Sequence, residues 1–147
     1  MKKRGGRAVA SRIFLLIYCV AMFWLLFGQR WGNQSSATQQ HYNYNFIPFR
    51  TLQQYVGLLA KKEYALHAFI NLFGNIFMFV PPGYLLPKIW KSCRKFGTTF
   101  WIMLISILAV EVLQYISGLG SMDVDDLILN LLGVILGYLL WKIKNKN

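Results

Sequence analysis

Hydrophobic positions in this chain gather into four long runs separated by polar or basic stretches, the pattern of helices that cross a bilayer. The first run is apolar from Ile13 to Phe27. Extended back towards Ala8, with Arg12 snorkelling to the headgroups, it reaches the ~20 residues that a span requires. The spacing predicts spans over about 9–28, 65–86, 98–117 and 124–141, with a polar outside loop over 29–64. A cleaved signal peptide fits the basic start and the small pair Ser35 and Ala37 in outline. The bulky Trp24 and the long gap from Phe27 to Ala37 favour an uncleaved span instead.

The loop holds one periodic stretch. Leu52, Tyr55, Val56, Leu59 and Ala60 recur at offsets of three and four opposite Gln53, Gln54 and Lys61, which predicts a short amphipathic helix. It either lies at the membrane surface or packs its stripe on the bundle. Asn33-Gln34-Ser35 has the form of a glycosylation acceptor and by itself carries little weight. In the second span, His67, Asn71 and Asn75 are spaced by four and share a face, and Gly74 beside them is expected to admit a close neighbour. Pro81 and Pro82 lack amide donors and are expected to end or kink that helix.

Composition narrows the class. The chain is 56% hydrophobic and 14% charged, with a positive mean hydropathy, so the expected fold is an all-α four-helix integral membrane bundle forming one domain over 1–147. A net charge of +11 does not point to nucleic acid, because the basic residues come in short clusters between apolar runs. Those clusters (Lys2 to Arg12, Lys88 to Lys95, Lys142 to Lys146) fall on one side of a four-span chain. By the positive-inside rule that side, with both termini, is the cytoplasm, although Arg30, Arg50, Lys61 and Lys62 dilute the bias. Cys19 lies in an apolar run and Cys93 in a basic loop; neither suits a disulfide or a zinc site, and no cofactor is expected.

The acids then become the informative residues. Four of the five, Glu111, Asp123, Asp125 and Asp126, lie in the hairpin of the last two spans, and carboxylates in a bilayer demand a reason. Asn71, Glu111, Gln114, Asp126 and Asn130 all fall near the outer ends of their helices, within roughly 10 Å of the outer surface at ~1.5 Å per residue. Asn75 is one turn deeper. On the last span Asp126, Asn130, Gly133 and Gly137 form a stripe that is polar above and small below. A polar pocket open to the outer face, built on three helices, is the expectation. Glu111 serves there either as a neutral donor to Asn71, Asn130 or Asp126 or as a titrating group. Asp123 is read as a helix cap, whereas Asp126 is divided between capping and the pocket. Asp125 and Asp126 are weak candidates for a metal, and Arg50 and His67 for ligand contact, with an interfacial histidine without chemistry the better reading of His67.

Asn45-Phe46-Ile47-Pro48-Phe49-Arg50-Thr51, the segment from Asn71 to Pro87, Glu111-Val112-Leu113-Gln114, and Asp123 to Asn130 with Gly133 and Gly137 resemble, in order, the motifs of the VanZ-like family. The resemblance covers about two thirds of the chain. It implies a bacterial plasma-membrane protein, the family being named for a member that gives low-level resistance to the lipoglycopeptide teicoplanin. Phe46 stands where leucine is common, Gly120 where many members carry arginine, and Val134 where a second glycine is frequent. Three functions fit: a pocket that binds a lipid, a lipid-linked cell-wall precursor or the antibiotic's acyl anchor; an intramembrane enzyme on a polyprenyl-type lipid, with Glu111 as acid or base and Asp125 or Asp126 holding a divalent cation; and a scaffold whose polar groups only fasten helices. The first is preferred. Transport is weakest, since four spans would have to oligomerise to form a path.

Overall fold

The computed structural model describes residues 2–28 and 44–146. Its helices are α1 (Lys2–Phe23), which continues through a π-helical turn over Trp24–Gly28, then α2 (Arg50–Leu59), α3 (Ala65–Ile89), α4 (Phe96–Ile116) and α5 (Val124–Lys144). Four segments are long and apolar enough to cross a membrane: Val9–Gly28, Ala65–Ile89, Phe96–Ile116 and Val124–Lys144. The chain is an all-α, multi-pass membrane bundle. The Asn33 acceptor and the Ser35–Ala37 pair lie outside the described residues.

Outward faces are what hydrocarbon asks for. Ile13, Leu16, Ile17 and Val20 on α1, Ile105 and Ile116 on α4, and Leu136 and Leu139 on α5 are all exposed, as side chains meeting lipid rather than water can be. Inside, Phe79, Met103, Ile107 and Val134 form a buried cluster. Val134, which replaces a glycine frequent in the family it resembles, is fully enclosed there.

The most extensive contact in the bundle joins α3 to α5. It is a backbone contact made possible by glycine. A Cβ on Gly133 would run into the Ile76 carbonyl, one on Gly137 into the Val80 carbonyl and the Tyr84 amide, and one on Gly83 into the Val134 backbone. Gly74, expected to admit a neighbour, faces open space. The reason is rotation: it is turned about 100° from Asn75, whose face is the one that meets α5.

Pro81 and Pro82 do not end α3, which runs unbroken through both and through Pro87 to Ile89. Pro82 leaves the Met78 carbonyl without its helical donor, and the Tyr18 hydroxyl of α1 donates to that oxygen at 2.6 Å. The neighbouring helix thus repairs the gap. Tyr18→Phe is expected to lose about 0.5–1 kcal/mol in a denaturing-detergent titration. In a Pro82→Ala background, where the Met78 carbonyl regains its own amide, the same change should cost almost nothing.

At one end of the bundle Thr99 donates to the Cys93 carbonyl and Tyr138 to the Arg94 carbonyl, both at 2.6 Å, which ties the basic loop between α3 and α4 to the C-terminal part of α5. Ser11 and Phe14 of α1 share a groove there with Tyr84, Lys88 and Leu140. Arg12, Lys88, Arg94 and Lys142 therefore belong to this end. The acids are at the other.

Candidate functional site

Two short stretches from opposite parts of the chain close the acidic end. Strands β1 (Tyr44–Asn45) and β2 (Met122–Asp123) pair in parallel, Asn45 opposite Asp123. No alternating pattern announces strands of this length. The reversal before β2 is set by Gly118, whose φ of 67° is left-handed; behind it the Leu119 and Gly120 amides both return to the Gln114 carbonyl, at 3.0 and 3.1 Å.

Asp123 is the N-cap of α5, its Oδ1 accepting the Asp125 amide at 2.9 Å. The same carboxylate reaches the other segment. Its Oδ1 accepts Asn45 Nδ2 at 3.1 Å and its Oδ2 accepts the Thr51 hydroxyl at 2.6 Å, while Asn45 Nδ2 also donates to Thr51 Oγ1 at 3.0 Å. Asp125, 2% exposed, accepts the Phe49 amide on Oδ1 at 2.5 Å and the Leu52 amide on Oδ2 at 3.0 Å. These are amides at the start of α2, which has no side-chain cap of its own, so a carboxylate of α5 caps α2 across the fold. Asp125, weighed above as a metal ligand, directs both oxygens to this task. Phe49 sits in the left-handed region at φ 66°, a strained conformation for a phenylalanine that the Asp125 contact helps to hold.

With its start fixed this way, α2 lies against α3, and Tyr55 meets the His67 ring edge-on at 6.4 Å. Leu52, Tyr55 and Leu58 are half-buried, whereas Val56 and Leu59 stay exposed on the other flank. The stripe serves the bundle on one side. The other is left to the surroundings.

At this end of the bundle lies a cavity of about 110 Å³ whose polar lining is Asn71, Asn75, Glu111, Gln114, Asp126, Asn130 and Ser121. Asn75 Nδ2 donates to Asp126 Oδ1 at 2.6 Å, joining α3 to α5. Gln114 Nε2 donates to the Leu26 carbonyl at 3.3 Å, at the π-helical turn that follows α1. Asn71 turns its amide back to the His67 carbonyl at 2.8 Å rather than to Glu111.

Two atoms stand out. Glu111 Oε2 and Asn130 Oδ1 are buried without a hydrogen-bond partner among the described residues, on side chains only 6% and 5% exposed. Orphaned acceptors in such a setting cost free energy unless something outside the chain satisfies them. Among the described residues no lysine, arginine or histidine lines the cavity. Gly120 is part of the wall, so the arginine found at this place in many sequences of the family it resembles is replaced by a bare backbone. Arg50 and His67 are exposed and outside the lining. Among the described residues no three His, Cys, Asp or Glu side chains are grouped to hold a metal ion.

Sequence reasoning missed Asn45 and Thr51 as partners of Asp123, and the commitment of Asp125 to α2. Separations of more than seventy residues leave no local signal for such pairs. The repeated acids of Asp123-Val124-Asp125-Asp126 were the available clue: more carboxylates than one helix start needs.

Comparison with known proteins follows the same geography. The model of the VanZ/LLP1 family matches residues 12–145. Protein VanZ of Enterococcus faecium is 29% identical over 140 residues, covering 95% of this chain and 78% of that protein. No solved structure matches the chain.

Proposed function

The chain belongs to the VanZ/LLP1 family, and on that premise we propose that it is a multi-pass protein of the bacterial plasma membrane that lowers susceptibility to glycopeptide antibiotics of the teicoplanin kind by binding a lipid or cell-wall-related ligand. The ligand site is the polar cavity between α3, α4 and α5. The observation that carries this reading is the pair of buried acceptors without a partner among the described residues, Glu111 Oε2 and Asn130 Oδ1, on two side chains that line the cavity. A bundle that needed only interhelical fasteners gains nothing from leaving them unpaired. In this reading the basic end lies in the cytoplasm and the cavity opens to the outer face.

Glu111→Gln, Asp126→Asn and Asn130→Leu, expressed at equal membrane levels, test it. Each is expected to return glycopeptide susceptibility to that of cells lacking the protein, while purified variants keep wild-type elution on size exclusion. Three variants with full activity would reject the site. Side is tested in the same strains, where Ser121→Cys is expected to react with an impermeant maleimide added to intact cells; reaction only after lysis would reverse the topology.

A further inference from the structure

The basic end of the bundle carries a groove of its own. It has a volume of about 790 Å³ between α1, α3 and α5, with Phe14, Val80, Leu85 and Leu140 among its apolar walls and Tyr84 and Lys88 towards one end. Along α3 it runs from Val80 to Lys88, roughly 12 Å at ~1.5 Å per residue, close to the ~15 Å that one leaflet contributes to a ~30 Å hydrocarbon core. Lys88 stands exposed at the mouth, its ammonium 5.8 Å from the Tyr84 ring centroid. A second lysine shares that level. Helices α3 and α5 run in the same direction, with Gly133 against Ile76 and Gly137 against Val80, so Lys144 is level with Pro87 and follows Leu140 by one turn on the same face. No side-chain carboxylate meets these ammonium groups, because Glu63 precedes α3 and the other four acids lie in the hairpin at the opposite end.

We propose that this groove is a site for one anionic phospholipid of the leaflet at the basic end, its phosphate between Lys88 and Lys144 and an acyl chain against Phe14, Val80 and Leu140. Depth and charge select this occupant. A membrane lipid presents its phosphate where hydrocarbon ends, which is the level of the two lysines at the ends of their helices. Phosphatidylcholine brings a cation of its own to that place, whereas an anionic phospholipid brings none. Each lysine near an anionic membrane surface is worth about fivefold in affinity. A second copy of the chain packed through this face about a two-fold axis would instead set one pair of lysines beside another. The groove shares no lining residue with the polar cavity, so the two sites stand or fall separately.

The test uses the full chain in phosphatidylcholine nanodiscs that contain either phosphatidylglycerol with a diazirine at mid-chain or phosphatidylcholine with the same group. At Phe14, Val80 and Leu140 the anionic probe is expected to label about tenfold more than the zwitterionic one, or better, from two lysines at about fivefold each. At Trp101, exposed towards the same end of α4, the two probes should label alike. Inorganic phosphate should not compete. Lys88→Gln with Lys144→Gln should bring the ratio in the groove down to that at Trp101. Lys91→Gln with Lys95→Gln removes as much charge from the same end, outside the groove lining, and should leave the ratio as it is. Equal ratios in the groove and at Trp101 of the native chain overturn the proposal without recourse to a variant. An equal fall in the two double variants assigns the preference to diffuse surface charge and overturns it too, and competition by inorganic phosphate does so in favour of a free anion. Absence of groove labelling, with Leu140→Cys in a Cys19→Ala background forming a disulfide dimer, gives the groove to a second copy instead.

Discussion

Gly137→Val is expected to prevent the folded bundle from accumulating. Even a single Cβ at this place collides with the Val80 carbonyl and the Tyr84 amide of α3, and neither is the end of a flexible side chain that could swing away. Helices α3 and α5 would have to separate along their longest contact, which also carries the Asn75–Asp126 bond at its upper end. The cost is put at about 3 kcal/mol or more, the upper end for overpacking, because two backbones rather than two rotamers must move. Membrane level and elution of a fluorescent fusion, followed by a denaturing-detergent titration of whatever can be purified, measure it. Gly74→Ala is the control. Its Cβ meets nothing, and it should be neutral or slightly stabilising in a helix.

Asp125→Ala is expected to release α2 while leaving the four spans assembled. Two amides, those of Phe49 and Leu52, lose their acceptor at a site where the carboxylate is almost fully buried, and Phe49 loses what holds its left-handed backbone. About 2 kcal/mol of local stability should disappear. Trypsin cleavage after Arg50, which requires the first turn of α2 to open, should then speed up by about thirtyfold, since each 1.4 kcal/mol is a factor of ten in the open population. Asp126→Ala, which removes the acceptor of Asn75 on α3, should leave that rate unchanged. Comparable rates in Asp125→Ala and the native chain would mean that α2 is held by its apolar stripe instead.

How far the sequence could be read depends on what each feature answers to. The spans were legible because a bilayer imposes one requirement, some twenty apolar residues, on every crossing. The polar faces were legible too: Asn71 with Asn75, Glu111 with Gln114 and Asp126 with Asn130 each share a helix face by spacing, and antiparallel spans bring such faces to one level. Of the two outcomes expected at Pro81 and Pro82, an end or a kink, the end does not occur, because the expectation of a break assumes that nothing else serves the freed carbonyl. Tyr18, sixty residues away, serves it. Gly74 misled for a similar reason, since smallness permits contact only on the face where a neighbour lies, and rotation about α3 gave that role to Gly83. The orphaned acceptors were least legible, because an atom such as Glu111 Oε2 is seen to lack a partner only after its described neighbours have been placed.

The cap also imposes an order on biogenesis. The carboxylates that hold Asn45, Phe49, Thr51 and Leu52 to α5 are those of Asp123 and Asp125, which leave the ribosome more than seventy residues later. Three spans can be threaded into the membrane while α2 still waits for its partners. A chain stopped before Met122 would have most of its hydrophobic mass in place and no roof over its acidic end, with the first amides of α2 offered to the surroundings. Closure of the roof therefore reports that the last helix has arrived.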